Sequence, residues 1–155
     1  NRSQLGYVIL LSDASNQCAL IHYSSHKSTR VTRSSMAAET LAFSNAFDNA
    51  FIIKHDLERM IGPVHLLMLT DSKALFDVLT QTRYTTERRL MVDIAAARES
   101  YHKRIISNIG LIRSEFNIAD GLIKAGPNEA LRKFLDTHCL DHPIEQYVTN
   151  GQIPS

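Results

Sequence analysis

Glu39, Asp71 and Asp120 are acids in places where an acid is costly. Asp71 follows Val64–Leu69, a run that is apolar except for His65 and reads as a strand covered on both faces. After Thr70, Asp71 and Ser72, the residues Leu75, Phe76, Val78 and Leu79 recur at helical spacing. Asp71 therefore sits where a buried strand ends and a helix begins, the place where open α/β sheets put their chemistry. A carboxylate there is expensive unless a cation or donors meet it. Capping the next helix is the other reading, and both fit this stretch.

Glu39 lies in a long predicted helix that opens at Ser34 or Ser35 and runs to about Leu57. Helical steps from it meet Ala42, Phe43, Ala46, Ala50 and Ile53, so the acid falls in the first turn on the stripe facing the sheet. The three alanines let that helix lie close to a strand. A favourable helix dipole would explain the acid, but its place on the packing face favours metal ligation. Asp120 falls early in a short helix just past the strand candidate Ile105–Arg113, with Asn117 as its cap. Carboxylates clustered at one end of a sheet repel one another and call for divalent cations between them. Two Mg²⁺ about 4 Å apart can activate a water and stabilise the leaving oxygen of a phosphodiester. No Ser/His/Asp set, P-loop or GxGxxG offers a competing chemistry.

The remaining elements follow from the pattern. Leu5–Leu11 and Cys18–Tyr23 flank the polar SDASNQ and predict a β-hairpin, with Asp13 a turn residue. His22 and His26 read as strand-surface or loop residues. The stretch 24–35 holds Lys27, Arg30, Arg33, Ser34 and Ser35 and no acid, which suits a solvated loop or an edge that contacts phosphates. Gly62-Pro63 breaks the chain before the Val64 strand. A second basic stretch carries Arg83, Tyr84, Arg88 and Arg89, with Thr86 as the expected cap of a helix from Glu87 to about Lys103. Leu131, Phe134, Leu135 and His138 predict a last amphipathic helix. His138, Cys139 and His142 are too few for a convincing metal site. From Asp141 onward the composition is polar, with Pro143 and Pro154, and reads as a tail. The expected organisation is one α/β domain over residues 1–140 and a tail over 141–155.

Composition sets outer limits. At 155 residues and 44% hydrophobic content, the chain can bury a core of one domain. Seventeen basic against sixteen acidic residues give +1, so any basic surface must be local. Two cysteines without zinc or CxxC spacing argue against a disulfide scaffold and for a reducing compartment. No apolar run approaches spanning length, and no signal peptide opens the chain. The expectation is a soluble intracellular domain, cytoplasmic or nuclear, cut from something longer, with no membrane partner.

Five blocks in order, SQLGYVI, SSHKSTRVTRSSMAAE, LTDSKAL, ERRLMVDI and NIADGLIK, resemble the ribonuclease H domain of copia-type LTR-retrotransposon polyproteins. The resemblance runs from about Ser3 to Lys124 and rests on the order of the blocks. It implies an α/β, ribonuclease H-like mixed sheet flanked by helices. It implies an endonuclease that hydrolyses the RNA strand of RNA–DNA hybrids with two Mg²⁺, for which Mn²⁺ can substitute, beside the reverse transcriptase portion of a parent polyprotein. By similarity Glu39 and Asp71 hold the metal at the leaving group, and Asp120 holds the metal that delivers water. Lys27, Arg30, Arg33, Ser34, Ser35, Arg88 and Arg89 then become candidates for gripping the hybrid. One departure counts against activity. The family opens with a central strand bearing an Asp that bridges both metals, and only Asn1 and Arg2 precede the first matched block. The chain is therefore expected to be N-terminally incomplete and to lack that strand, unless Leu5–Leu11 serves as it and Asp13 as the bridge. A binding module of the same fold that does not cleave, and a structural remnant, are the alternatives.

Overall fold

The structure, a computed structural model, describes residues 2–81, 85–140 and 144–149. It is a mixed α/β fold with four helices and two small sheets among those residues. The first sheet is an antiparallel hairpin of β1 (Gln4–Ser12) and β2 (Cys18–Lys27), in register Gln4↔Lys27 to Ser12↔Cys18 with a bulge at Ile9/Leu10. Its turn is closed by Asp13, whose Oδ1 accepts from the Ser15 and Gln17 amides at 2.8 and 3.0 Å. The local hydrogen bonding expected of a turn Asp is thus what Asp13 does.

The hairpin leads to α1 (Ser35–Ile61). Ser34 is its N-cap, accepting from the Ala37 amide at 3.1 Å. Gly62 ends it with φ 89°, a conformation that strains any residue with a Cβ, and its N–H bonds Glu58 O at 3.1 Å. Pro63 then keeps the helix from continuing. β3 (Leu67–Thr70) follows, then α2 (Lys73–Thr80), α3 (Met91–His102), β4 (Asn108–Ile112), α4 (Glu129–Thr137) and β5 (Ile144–Thr149). In the second sheet β3 runs parallel to β4, and β5 is antiparallel to β4 on its other side.

Phe43, Met68, Leu75, Phe76, Leu79, Tyr101, Ile106, Ile109 and Leu111 form the largest core cluster, under the second sheet. Ala37, Val78, Leu90 and Ile94 make a second cluster between helices, and Cys18, Ile118 and Phe134 a third beneath the hairpin. The core is thus divided. Among the described residues β1 pairs only with β2, and β3 only with β4, so the single sheet expected from the sequence is two. A cleft of about 610 Å³ is lined by β1, by residues 63–71 and by Ala42, Ala46 and Ala50 of α1, among others.

Several expected boundaries move. The strand expected at Val64–Leu69 is Leu67–Thr70, because the ladder to β4 starts at Leu67↔Asn108. Ahead of it Leu66 bonds irregularly to Ser107, O to N at 2.9 Å. Nor is that strand covered on both faces, since Leu67 borders the cleft and is 41% exposed. Residues 24–27 of the expected loop belong to β2, held by the register with β1. Thr86 does not cap the third helix. A 3₁₀ turn, Arg88–Leu90, precedes α3, and Glu87 stands at its N-cap without a side-chain cap bond. The expected tail includes β5, whose backbone pairs with β4 despite the polar composition, as an edge position allows. Arg83, Tyr84 and His142 lie outside the described residues. Cys18 and Cys139 are free thiols. Among the described residues no helix is long and apolar enough to cross a membrane.

Candidate functional site

The capping reading of Asp71 is not met. Ser72 is the N-cap of α2, its hydroxyl accepting from the Leu75 amide at 3.3 Å, so Asp71 is left without capping duty. It sits just past the carboxyl end of β3, half-buried, on the wall of the cleft.

Glu39 is the fifth residue of α1, and no acid occupies the first turn. It is therefore past the place where the dipole acts most strongly, which weakens that explanation and leaves its position on the packing face. Glu39 lines the large cleft together with Asp71, and a small cavity of about 30 Å³ together with Asp120. The small cavity has room for about one water-sized particle.

Asp120 is 8% exposed and sits in a 3₁₀ turn, Ile118–Leu122, capped by the Asn117 side chain on the Ala119 amide at 3.1 Å. Gly6 brings this turn against the hairpin. A Cβ at Gly6 would stand 2.4 Å from Ile123 Cγ2, so any larger residue there must displace the Ile123 side chain or the turn.

Three elements thus bring three acids to one end of the molecule, and the electrostatics register it. Partial burial and then the negative charges of Asp71 and Asp120 push the Glu39 carboxyl up to about 7. Asp13 is not among the charges acting on Glu39. Its own carboxyl, exposed in the hairpin turn, is held below the usual range by the Ser15 hydrogen bonds.

Lys124 is the residue that sequence reasoning missed. Its Nζ lies 2.5 Å from Asp120 Oδ2. That hydrogen bond first, and the charges of Asp120, Asp71 and Glu39 after it, raise its pKa. The ammonium is the cation the three acids already share. The signal was present: Lys124 follows Asp120 at i,i+4, the spacing of a helical ion pair. As they stand, no three His, Cys, Asp or Glu groups among the described residues are arranged to hold a metal ion. The donor chemistry nevertheless suits a hard divalent cation. All three candidate ligands are carboxylates, and Glu39 resists ionisation because it is partly buried and faces the charges of Asp71 and Asp120.

The basic candidates fall into two segments that the fold joins. Ser34 Oγ donates to Glu87 Oε1 at 2.5 Å, and Arg30 pairs with Asp93 at 3.6 Å, so the stretch after β2 abuts the start of α3. Lys27, Arg33, Ser35, Arg88 and Arg89 are exposed. Ser34 is committed to its cap and to Glu87, and Arg30 is partly neutralised by Asp93. The free basic groups of this surface are therefore fewer than the sequence suggests. His22 and His26 bond neighbouring side chains, Tyr7 and Ser24, as strand residues do.

Compared with known proteins, the chain matches no family model, no curated protein and no solved structure.

Proposed function

We propose that this chain is a ribonuclease H-like domain of copia-type retrotransposon origin that binds RNA–DNA hybrids and holds Mg²⁺ on Glu39, Asp71 and Asp120. The observation that carries the reading is the convergence of these three acids from α1, the end of β3 and the turn after β4, close enough that two of them oppose ionisation of the third. Sequence order and the five-block resemblance supply the substrate class. Bound Mg²⁺ supplies Lewis-acid stabilisation of phosphate charge in a phosphodiester hydrolysis.

The protein's own residues prepare for it. Partial burial keeps the Glu39 carboxyl protonated over part of the neutral range, and a cation favours its ionised form. Lys124 holds Asp120 oriented and must yield that carboxylate to a metal. Arg33, Lys27, Arg88 and Arg89 supply cations to phosphates, and Ser35 a hydroxyl.

A second reading has its own support. Lys124 already compensates Asp120, and the described residues place no fourth carboxylate against Glu39. That combination favours a domain that grips hybrid without cutting it.

The deciding experiment is a pair of measurements on wild type and Asp71→Asn. Mg²⁺ or Mn²⁺ titration raises the melting temperature of wild type, because a ligand bound only by the folded state stabilises it. Asp71→Asn loses that rise, and an equal response in both proteins sinks the metal assignment. A hybrid cleavage assay on the same samples then separates enzyme from binding module: release of 3′-hydroxyl and 5′-phosphate ends marks the first, and salt-dependent binding without cleavage the second.

A further inference from the structure

Asp120 differs from the other two acids in what surrounds it. Glu39 and Asp71 line the open cleft, whereas Asp120 lines, with Glu39, the small cavity of about 30 Å³ and not the cleft. Mg²⁺ dehydrates reluctantly and keeps several of its waters. The cleft has room for an ion with that shell, and the small cavity has room for about one water. Asp120 is buried, and its Oδ2 already has a cation at 2.5 Å, the Lys124 ammonium. Lys124 is itself exposed and reaches in from the rim on its flexible stem. Three carboxylates against one ammonium leave two negative charges, which one divalent cation balances and two would overshoot.

We infer that Lys124 sets the number and order of ions at this site: one divalent cation binds at Glu39 and Asp71 with the ammonium still on Asp120, and a second reaches Asp120 only by displacing it. The inference rests on the metal reading above and adds to it a gate made from one of the chain's own side chains. Displacing Lys124 meets two obstacles. The buried Asp120 carboxylate loses its partner, and the ion must shed waters to take its place. The first ion meets neither, because Asp71 has no capping duty and opens on the cleft. The ammonium also acts on Glu39, favouring its ionised form as a cation at Asp120 would. Lys124 thus neutralises charge in place of a second ion, but an ammonium is a donor only and offers no coordination to a water.

The test counts bound Mn²⁺ on the 155-residue chain, from the electron-spin-resonance signal of the free ion during titration. Wild type is expected to bind one ion per chain, with any second at least ten-fold weaker. Lys124→Met is expected to bind two within ten-fold of each other, and Lys124→Arg, which keeps a cation there, one. Two ions of similar affinity on wild type, one on Lys124→Met, or two on Lys124→Arg overturns the inference and leaves the metal reading standing. Binding to wild type no stronger than to Asp71→Asn overturns the metal reading, and the inference with it. A nitrogen-15 spectrum of the lysine side chains carries the test on wild type alone, should Lys124→Met fail to fold. The Lys124 ammonium is expected to stay protected from hydrogen exchange through the first equivalent of Mg²⁺ and to lose that protection as a second binds. Loss with the first equivalent overturns the inference.

Discussion

The ammonium of Lys124 stands 2.5 Å from the buried Asp120 carboxylate, four residues apart on the turn after β4. This one contact supplies the positive charge in a cluster of three acids. It links the stability of the turn to the ionisation of Glu39, which the Lys124 charge favours and the Asp71 and Asp120 charges oppose. The site's response to pH, metal and mutation follows from that balance.

Glu39 makes the metal-free protein less stable as pH rises. Its folded pKa, about 7, lies above the ordinary glutamate value of 4.5, so the folded state binds more protons than the unfolded state between the two. Stability is highest below pH 4.5 for this group, falls as pH climbs through 7, and levels off above. After discounting for solvent screening the loss is about 1–2 kcal/mol. Chemical denaturation of wild type and Glu39→Gln across pH 5–8 checks it: the variant should lack this slope. Saturating Mg²⁺ should also flatten the slope in wild type, because metal favours the ionised carboxyl.

Lys124→Met should destabilise the metal-free chain. Asp120 would remain buried without its counter-charge, at a cost of about 1–2 kcal/mol given that Lys124 itself is largely exposed. The Glu39 carboxyl should rise above about 7, and the stabilisation by Mg²⁺ should grow, since no ammonium competes for Asp120. An NMR titration of Glu39 reads the first effect and a melting series with Mg²⁺ the second. A fall in the Glu39 value would show that Lys124 does not act on the cluster.

Hybrid binding should weaken as salt rises, with a slope set by the number of phosphates neutralised. Charge reversal at Arg33 or Arg88 should lower affinity for hybrid and duplex DNA alike and shallow the slope by about one. Arg30 is a poorer choice, because reversal there also sets an acid against Asp93. Fluorescence anisotropy at several salt concentrations measures both. The hybrid should bind more tightly than duplex DNA, because the wide minor groove of an A-like duplex displays 2′-hydroxyls. Equal affinities would leave only a generic basic surface.

Gly6→Ala should disturb the carboxylate site from a distance. The new Cβ meets Ile123 Cγ2 at 2.4 Å, so the Ile123 side chain, the turn carrying Asp120 and Lys124, or β1 must move. We expect a loss of about 1–3 kcal/mol, the usual range for overpacking. NMR shift changes should concentrate at residues 118–124. Changes confined to β2 would place the strain elsewhere.

Ser34→Ala should cost about 1 kcal/mol or somewhat more. It removes the α1 cap, and it strips Glu87 of a hydroxyl donor at the same time. Urea denaturation gives the size of the loss. Ser35→Ala, at the exposed first residue of the helix, is the neutral control.

Much of this architecture was legible in the residues themselves. Local signals are written in the chain: Ser34 and Asn117 cap the elements they precede, and Gly62-Pro63 ends α1. The hairpin and the convergence of Glu39, Asp71 and Asp120 also followed from spacing, because burial periodicity tells which face a residue takes. What spacing does not carry is the partner across space. Whether Asp71 capped α2 depended on which side chain the turn aimed at the Leu75 amide, and that is Ser72. The strand at 144–149 was hidden because its pairing is made by backbone atoms, which polar composition neither reveals nor forbids. Ser34 and Arg30 looked free for a phosphate until folding set Glu87 and Asp93 beside them, residues more than fifty positions away. The cleft between β1 and β3 is the clearest case. Each strand's sequence specifies an extended run, but only the tertiary packing decided that both line one cleft with α1 while, among the described residues, β1 pairs with β2 and β3 with β4.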